Sequence, residues 1–279
     1  MGRSVKYMQI TECLSLCDRM EEKNIKKQEN NGRNIKRVYL GSYFCSNYFL
    51  NLDLNLLERI VTECIYNDID ITLVIPIITE KNFKAMKEKI EKLFKFAGDS
   101  IDEITVNDYG TLECMHQQYP IALNLGRLFA KDYRDPRYQD SFDMTCKPNI
   151  FTTEFQTLVK RFHIKGIEFD PISKCLDFSE AIPELSYAIH SPYCYVTTGQ
   201  ICEFGSISNQ NEKKFRPNSD CHRECVNITK TYGLQEEQEW YRLGKAVYFK
   251  NNDCEIKGID KIRRIIWCAD FGDSMEQHD

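Results

Sequence analysis

The sequence predicts a parallel α/β fold of the TIM-barrel type, a complete or incomplete (β/α)8 barrel with a cysteine-bearing loop at the carboxyl ends of its strands. Short runs rich in Val, Ile, Tyr and Phe alternate with amphipathic segments, which is typical of a parallel sheet covered by helices. The run Ile71–Ile77 is almost continuously apolar, as expected for a strand that is buried on both faces. Roughly eight such strands in 279 residues favour a barrel, which typically takes about 250 residues.

The predicted strands follow one another along most of the chain. They are Arg37–Cys45, Ile69–Ile77, Glu103–Val106, Ile121–Leu125, Gly166–Phe169, Leu185–Ile189, Lys245–Phe249 and Arg264–Cys268. Helices are predicted where apolar residues recur at three- and four-residue steps between the strands. These helices are Leu54–Tyr66, Glu80–Phe96, Thr111–Gln118 and Thr153–His163.

The first 35 residues are predicted to form an N-terminal helical extension, and residues 36–279 a single barrel-like domain with an iron–sulfur site. Apolar side chains recur at three- to five-residue steps between Met8 and Ile25, and Asn and Gly residues then end the pattern. Cys13 and Cys17 would share one face of this helix and serve packing.

Composition and charge predict a cytoplasmic protein. The formal net charge of −5 provides no field that would favour DNA, and the basic run Lys23–Arg37 is interrupted by Glu29 and several Asn residues. The first residues contain no apolar stretch of the kind that a secretory signal needs. No window approaches the roughly 18–20 apolar residues of a membrane span.

Thirteen cysteines are unusual for such a protein. Structural disulfides are not expected in a reducing cytosol, so clustered cysteines indicate metal binding or catalysis. Cys202 lies within an irregular segment, 192–220, that is too long for an ordinary connection, and Cys221 and Cys225 follow this segment. Four dispersed cysteines are instead expected to be small buried hydrophobic residues: Cys64, Cys146, Cys175 and Cys268.

The spacing of the three cysteines favours a 4Fe–4S cluster over zinc. Thiolates are soft ligands that select zinc or iron–sulfur clusters. Structural zinc sites usually use two close cysteine pairs, whereas here only Cys221 and Cys225 are close. A cluster often takes one ligand from a distant part of the chain. Cys45, at the end of the first predicted strand, and Cys194, eight residues before Cys202, are the two candidates for the fourth ligand.

Three segments resemble the collagenase-like peptidase U thirty-two family, in particular its short members from ubiquinone biosynthesis. They are the first strand with its cysteine, Val38–Cys45, the motif VNDYGTL at Val106–Leu112, and YVTTGQIC at Tyr195–Cys202, which is followed by Cys221 and Cys225. The resemblance covers most of residues 36–272 and implies a barrel-like fold. It also implies that Cys45, Cys202, Cys221 and Cys225 bind one 4Fe–4S cluster, with Cys45 preferred to Cys194.

The same resemblance implies a redox role or a part in oxygen-independent hydroxylation, under anaerobic conditions or with a homologous partner in a heterodimer. A small molecule or an RNA base would be the substrate. Two alternatives stay open: a collagenase-like peptidase, and a non-catalytic cluster protein that relays electrons within a complex. Peptidase activity is the lesser expectation, because the residues contain no readable pair of nucleophile and base.

Other polar residues follow predicted strands and are weaker candidates for chemistry. Asp108, Glu168 and Asp170 could perform acid–base work, although capping of the following helices is favoured. His190 could lie near the cluster or be structural. The arginines of two short motifs could bind an anionic substrate or form surface ion pairs: Arg127, Arg134 and Arg137.

Overall fold

The computed structural model of the chain describes residues 10–18, 32–130, 148, 150–171, 175–207, 209–217, 221–226, 228–233, 239–252 and 254–268. Its centre is a closed barrel of eight strands. Every neighbouring pair in the barrel is parallel. The predicted barrel of the TIM type is therefore confirmed.

The barrel strands run in chain order, with two excursions outside the barrel. In order around the barrel they are β1 (Thr11–Ser15), β2 (Arg37–Gly41), β3 (Asp70–Ile75), β4 (Glu103–Val106), β5 (Ala122–Leu125), β6 (Gly166–Phe169), β8 (Ser186–Ser191) and β14 (Ile262–Cys268). β7 (Cys175–Asp177) pairs outside the barrel with β13 (Glu255–Lys257).

Amphipathic helices cover the outside of the barrel. They are α1 (Ser46–Leu50), α2 (Leu54–Tyr66), α3 (Glu80–Ala97), α4 (Tyr109–Gln118) and α5 (Thr153–Arg161). α2 agrees with the prediction at both ends, and α3, α4 and α5 differ from it by one or two residues. The agreement is close because each of these helices buries one apolar face against the barrel, and that face imposes the helical period on the sequence.

The N-terminal prediction was wrong, because Thr11–Ser15 is a strand and not part of a helix. β1 pairs in parallel with both β2 and β14 and thereby closes the barrel. The barrel therefore begins before residue 36, and Cys13 is buried in its interior cluster. The rest of the predicted extension, up to residue 31, lies largely outside the described residues.

A long insertion separates the last two strands of the barrel, β8 and β14. It contains a four-stranded antiparallel sheet formed by β9 (Tyr193–Thr198), β10 (Lys230–Gly233), β11 (Glu239–Leu243) and β12 (Ala246–Lys250). Two predictions are corrected here: Lys245–Phe249 forms a strand of this sheet and not of the barrel, and the segment expected to be irregular begins with β9. In the described part of the chain, no helix is long and apolar enough to cross a membrane.

The insertion sheet packs over the carboxyl end of the barrel. Tyr195 and Tyr248 from the sheet belong to the same buried cluster as Tyr39, Val74 and Ile266 from the interior of the barrel. Aromatic contacts join the two parts, since the Phe44 ring lies 4.7 Å from the Tyr195 ring and 6.0 Å from the Tyr248 ring. The insertion is thus fixed at the end of the barrel where TIM-type enzymes carry their active sites.

Candidate functional site

Cys45 lies just beyond the carboxyl end of β2, at the start of α1. It is the N-cap residue of this helix, and its Sγ accepts a hydrogen bond from the Tyr48 backbone N–H at 3.4 Å. The Cys45 backbone N–H donates to Ser42 Oγ at 3.0 Å, and this hydroxyl donates to Asp18 at 2.5 Å. These hydrogen bonds fix the position of Cys45, which is buried.

The other three predicted ligands lie in the insertion, which contacts the C-terminal end of α1. Backbone N–H groups of Gly205 and Arg223 donate to the sulfurs of Cys202 and Cys221, at 3.4 and 3.3 Å respectively. The Asn51 side chain, at the end of α1, donates to the Cys221 carbonyl at 3.4 Å. The short 3-10 helix at Phe204–Ser206 contacts the one at Glu224–Val226, which contains Cys225.

The pKa values of two of the predicted ligands, Cys225 and Cys45, depend on other predicted ligands. Burial raises the pKa of the Cys225 thiol, and the thiols of Cys45, Cys202 and Cys221 raise it further. Burial also raises the pKa of Cys45, to about 12, with Cys221 adding to the increase and the Lys245 ammonium opposing it. Cys45 and Cys225 are 180 positions apart along the chain (225 − 45), so the interaction between them joins two distant segments.

The four predicted ligands are thiols, which are soft donors. If they lie together, they could all ionise only beside a cation that offsets their mutual repulsion. Their backbone N–H contacts are of the kind that stabilises thiolate sulfur around iron–sulfur clusters. In the described residues, no three His, Cys, Asp or Glu side chains are arranged to hold a metal ion as they stand.

Cys194, the other candidate for the fourth position, lies in β9 of the insertion sheet. It is fully buried, and its thiol donates to the Tyr195 carbonyl at 3.7 Å. It belongs to a strand within a packed sheet, whereas Cys45 lies at a helix start next to the segment that carries Cys221. The fourth position therefore stays a prediction for Cys45, with Cys194 as the alternative.

A second group of polar side chains occupies the interior of the barrel. Glu168, on β6, and His190, on β8, are 2 % and 0 % exposed, and Glu168 Oε2 lies 2.8 Å from His190 Nε2. The Thr105 hydroxyl donates to the other carboxylate oxygen of Glu168 at 2.7 Å. Burial raises the pKa of Glu168 to about 7, against the hydrogen bonds that this carboxyl accepts.

Arg127 and Asp170 form an ion pair at the carboxyl end of the barrel. Arg127 Nε donates to Asp170 Oδ1 at 2.9 Å, and its Nη2 donates to the same oxygen and to the Tyr193 carbonyl. The guanidinium carbon lies 5.4–5.7 Å from the centres of four aromatic rings: Tyr43, Phe44, Tyr195 and Tyr248. A buried cation is stabilised here by one carboxylate and several ring faces.

Cys268, at the end of β14, completes this interior group. Its sulfur lies 3.8 Å from His190 Nδ1, on the opposite side of the ring from Glu168. Burial raises the pKa of Cys268 to about 11, and Arg127 opposes this increase by its charge. Sequence reasoning treated Cys268 as a packing residue and missed this contact, because 78 residues separate it from His190. The adjacency of β8 and β14 is a property of the barrel alone.

The remaining candidates divide between structural roles and positions outside the described residues. Asp108 caps α4 as expected, since its Oδ1 accepts from the Thr111 backbone N–H at 2.7 Å. Glu168 and Asp170 cap none of the described helices; Glu168 contacts His190, and Asp170 accepts hydrogen bonds from Arg127 and from the Tyr195 backbone N–H. Arg134 and Arg137 lie outside the described residues.

Two of the four cysteines expected to be buried hydrophobic residues need further comment. Cys175 is disulfide-bonded, which corrects the prediction that structural disulfides are absent. Cys146 lies outside the described residues, whereas Cys64 is a fully buried free thiol, as predicted.

Comparisons with known proteins identify no family for the chain. No family model matches the sequence, and no curated protein matches it. One solved structure with a similar course of the chain is the spore cortex-lytic enzyme SleL of Bacillus megaterium QM B1551. It shares 8 % sequence identity with the chain, at a TM-score of 0.40, over 96 % of this chain and 72 % of SleL.

Proposed function

We propose that the chain binds a 4Fe–4S cluster through Cys45, Cys202, Cys221 and Cys225, and that it acts in redox chemistry or in oxygen-independent hydroxylation. One observation carries this proposal. The insertion contacts the end of α1, where Asn51 donates to the Cys221 carbonyl at 3.4 Å, and it thereby approaches the helix whose N-cap residue is Cys45. Four thiols form a set of soft donors that suits an iron–sulfur cluster, which commonly takes one of its four cysteines from a distant part of the chain.

Several residues would support the cluster without binding it. The buried Lys245 lies close enough to lower the pKa of Cys45, and its charge would offset part of the negative charge of a four-thiolate site. Gly244, with a φ of +55°, passes close to Cys225, because a Cβ at this position would lie 3.7 Å from the Cys225 sulfur. When bound, the cluster would supply one-electron redox chemistry.

The partial exposure of the predicted site suggests that it exchanges electrons with another molecule. Cys202 and Cys221 are partly exposed, whereas Cys45 and Cys225 are buried. An electron could therefore enter or leave from the side of the insertion. This arrangement is compatible with a homologous partner protein and with a small-molecule or RNA substrate, as the sequence resemblance implies.

Anaerobic metal analysis tests the proposal. We expect a brown protein with about four irons and four sulfides per chain. Cys221→Ser should lower the iron content to less than half and bleach the visible absorbance, because one ligand is lost. The matched control is Cys254→Ser, which changes a partly exposed free thiol outside the four and should leave the iron content unchanged.

Two results would count against the proposal. A colourless protein that carries one zinc per chain would show that the site binds zinc and not an iron–sulfur cluster. Retention of full iron content in both Cys221→Ser and Cys225→Ser would show that these thiols are not ligands. Comparison of Cys45→Ser with Cys194→Ser identifies the fourth ligand, since only the variant that lacks a true ligand should lose iron.

A further inference from the structure

We propose that Cys268, His190 and Glu168 form a second reactive site, in which the Cys268 thiol accepts an acyl group from a small activated ester or thioester. This site is separate from the four predicted cluster cysteines. Its three residues lie on three different strands of the barrel, β14, β8 and β6, and their side chains meet at the carboxyl end of the barrel interior.

The geometry is that of a nucleophile, a base and a residue that orients the base. The two ring nitrogens of His190 face different partners, since Nδ1 lies 3.8 Å from the Cys268 sulfur and Nε2 lies 2.8 Å from Glu168. Glu168 is itself held by the Thr105 hydroxyl at 2.7 Å. A histidine ring with a thiol on one nitrogen and a fixed carboxyl on the other is the arrangement of thiol-dependent acyl transfer.

The protonation state of the thiol makes the base necessary. Because burial raises the pKa of Cys268 to about 11, the thiol keeps its proton at neutral pH. The proton must then leave while the sulfur attacks. His190 Nδ1 receives it when Nε2 carries the ring proton and donates to the ionised Glu168 carboxylate. Arg127 opposes the increase in the pKa of Cys268, whereas its ion-pair partner Asp170 and Glu168 add to it.

The proposed step balances in atoms and charge. The Cys268 sulfur forms a bond to the carbonyl carbon of the donor, and the bond from that carbon to the leaving oxygen or sulfur breaks. The thiol proton passes to His190 Nδ1 and then to the leaving group, which departs as an alcohol or thiol. Water or another acceptor can then take the acyl group from the resulting thioester, with the same ring handling the proton in reverse.

The surroundings limit the donor to a small molecule. His190 and Arg127 are fully buried, whereas Cys268 is partly exposed. The insertion sheet also covers this end of the barrel with Tyr195 and Tyr248. An acyl donor would therefore have to be small enough to reach a sulfur that is itself largely buried.

Acylation by p-nitrophenyl acetate at neutral pH tests the proposal, with peptide mass spectrometry to locate the acetyl group. We expect a burst of up to one p-nitrophenolate per chain and an acetyl group on Cys268. Cys268→Ala should abolish the burst, and His190→Gln should slow it by about 100-fold, the lower end of the range for general-base catalysis. Cys254→Ala is the matched control, because this partly exposed thiol has no histidine neighbour among the contacts described, and its removal should leave the burst intact.

A comparison of two thiols in the wild-type protein tests the proposal even if a variant does not fold. Acetylation of Cys268 should be at least ten times faster than that of Cys254. Equal labelling of the two thiols, acetylation of Cys17 instead, or an unchanged rate in folded His190→Gln would overturn the proposal. Loss of iron has no part in this readout, so failure of the cluster proposal and failure of the acylation proposal can be told apart.

Discussion

Glu168 and His190 place an ionisable pair inside a barrel of the kind that is usually filled with branched apolar side chains. Both side chains are almost inaccessible to water, so the pair has no solvent to stabilise separate charges. Burial accordingly raises the pKa of Glu168 to about 7, compared with about 4.5 for an unperturbed glutamate. The folded protein therefore holds a proton on this carboxyl over a pH range in which the unfolded chain has released it.

This difference predicts a pH dependence of stability. The contribution of Glu168 is fully present below about pH 4.5 and is lost as the pH rises through about 7, because folding takes up a proton in between. The free energy of unfolding should thus fall with rising pH more steeply in the wild type than in Glu168→Gln. The difference for one proton is at most about 1.4 kcal/mol per pH unit, and urea titrations from pH 4.5 to 7.5 would measure it.

The control for this prediction is Glu58→Gln, which changes an exposed glutamate on α2. Its stability profile should run parallel to that of the wild type. A Glu168→Gln variant with the same pH slope as the wild type would show that the carboxyl is already ionised in the folded protein.

At the level of single elements, the contact between β2 and β3 limits which residue can end β2. Gly41, the last residue of β2, has a φ of +129°, which side-chain-bearing residues rarely adopt. A Cβ at this position would overlap the backbone carbonyl oxygen of Val74. The Ser42 backbone N–H donates to the same oxygen, at 3.2 Å. The end of β2 therefore has room only for glycine, and this turn leads directly into the segment that positions Cys45.

Gly41→Ala should consequently destabilise the protein by about 3 kcal/mol or more, through backbone strain and overlap with Val74. Thermal or urea unfolding would measure the loss. Gly199→Ala is the control, because a Cβ there meets no atom within 4 Å, and its effect should stay within about 0.5 kcal/mol. Equal stabilities of the two variants would contradict the close approach of β2 and β3.

At the level of the whole molecule, closure of the barrel depends on β1. Cys13, Leu14 and Leu16 are fully buried, and β1 bridges β2 and β14. At the amino-terminal side of the strands, Arg264 Nη1 lies 2.5 Å from Glu103, and Arg37 lies 3.6 Å from the same carboxylate oxygen. β1 thus joins β2 to β14, and the ion pairs connect both of these strands to Glu103 on β4.

Removal of residues 1–18 should therefore abolish a cooperative unfolding transition. Without β1, both neighbouring strands would present open edges, and the interior polar groups would be exposed to water. Circular dichroism during thermal unfolding is the measurement. Leu14→Ala provides a milder comparison, with an expected loss of about 2–5 kcal/mol and a folded protein. A truncated chain that unfolds cooperatively at the wild-type midpoint would refute this role of β1.

The helices and most of the barrel strands could be predicted from local patterns, whereas β1 could not. α2, β4 and β6 have the predicted limits, because each has a clear apolar face or run. β1 has five residues, of which only Leu14 is aliphatic, so the strand is too short and too mixed to show a period of its own. β1 is stabilised as a strand by pairing with β2 and β14, which a local reading does not include.

The sequence by itself determined the alternation of strands and helices, and with it the barrel, because hydrophobic periodicity is local. It also singled out Cys202, Cys221 and Cys225 by their spacing, and it left Cys45 and Cys194 as candidates for the fourth ligand, of which the family resemblance favours Cys45. Only the tertiary structure decided which distant residues meet. It brought Cys268 to His190 and turned Glu168 inward instead of capping a helix. Ring closure makes neighbours of strands far apart in sequence, and in a strand a shift of one residue decides whether a side chain faces the interior or the helices.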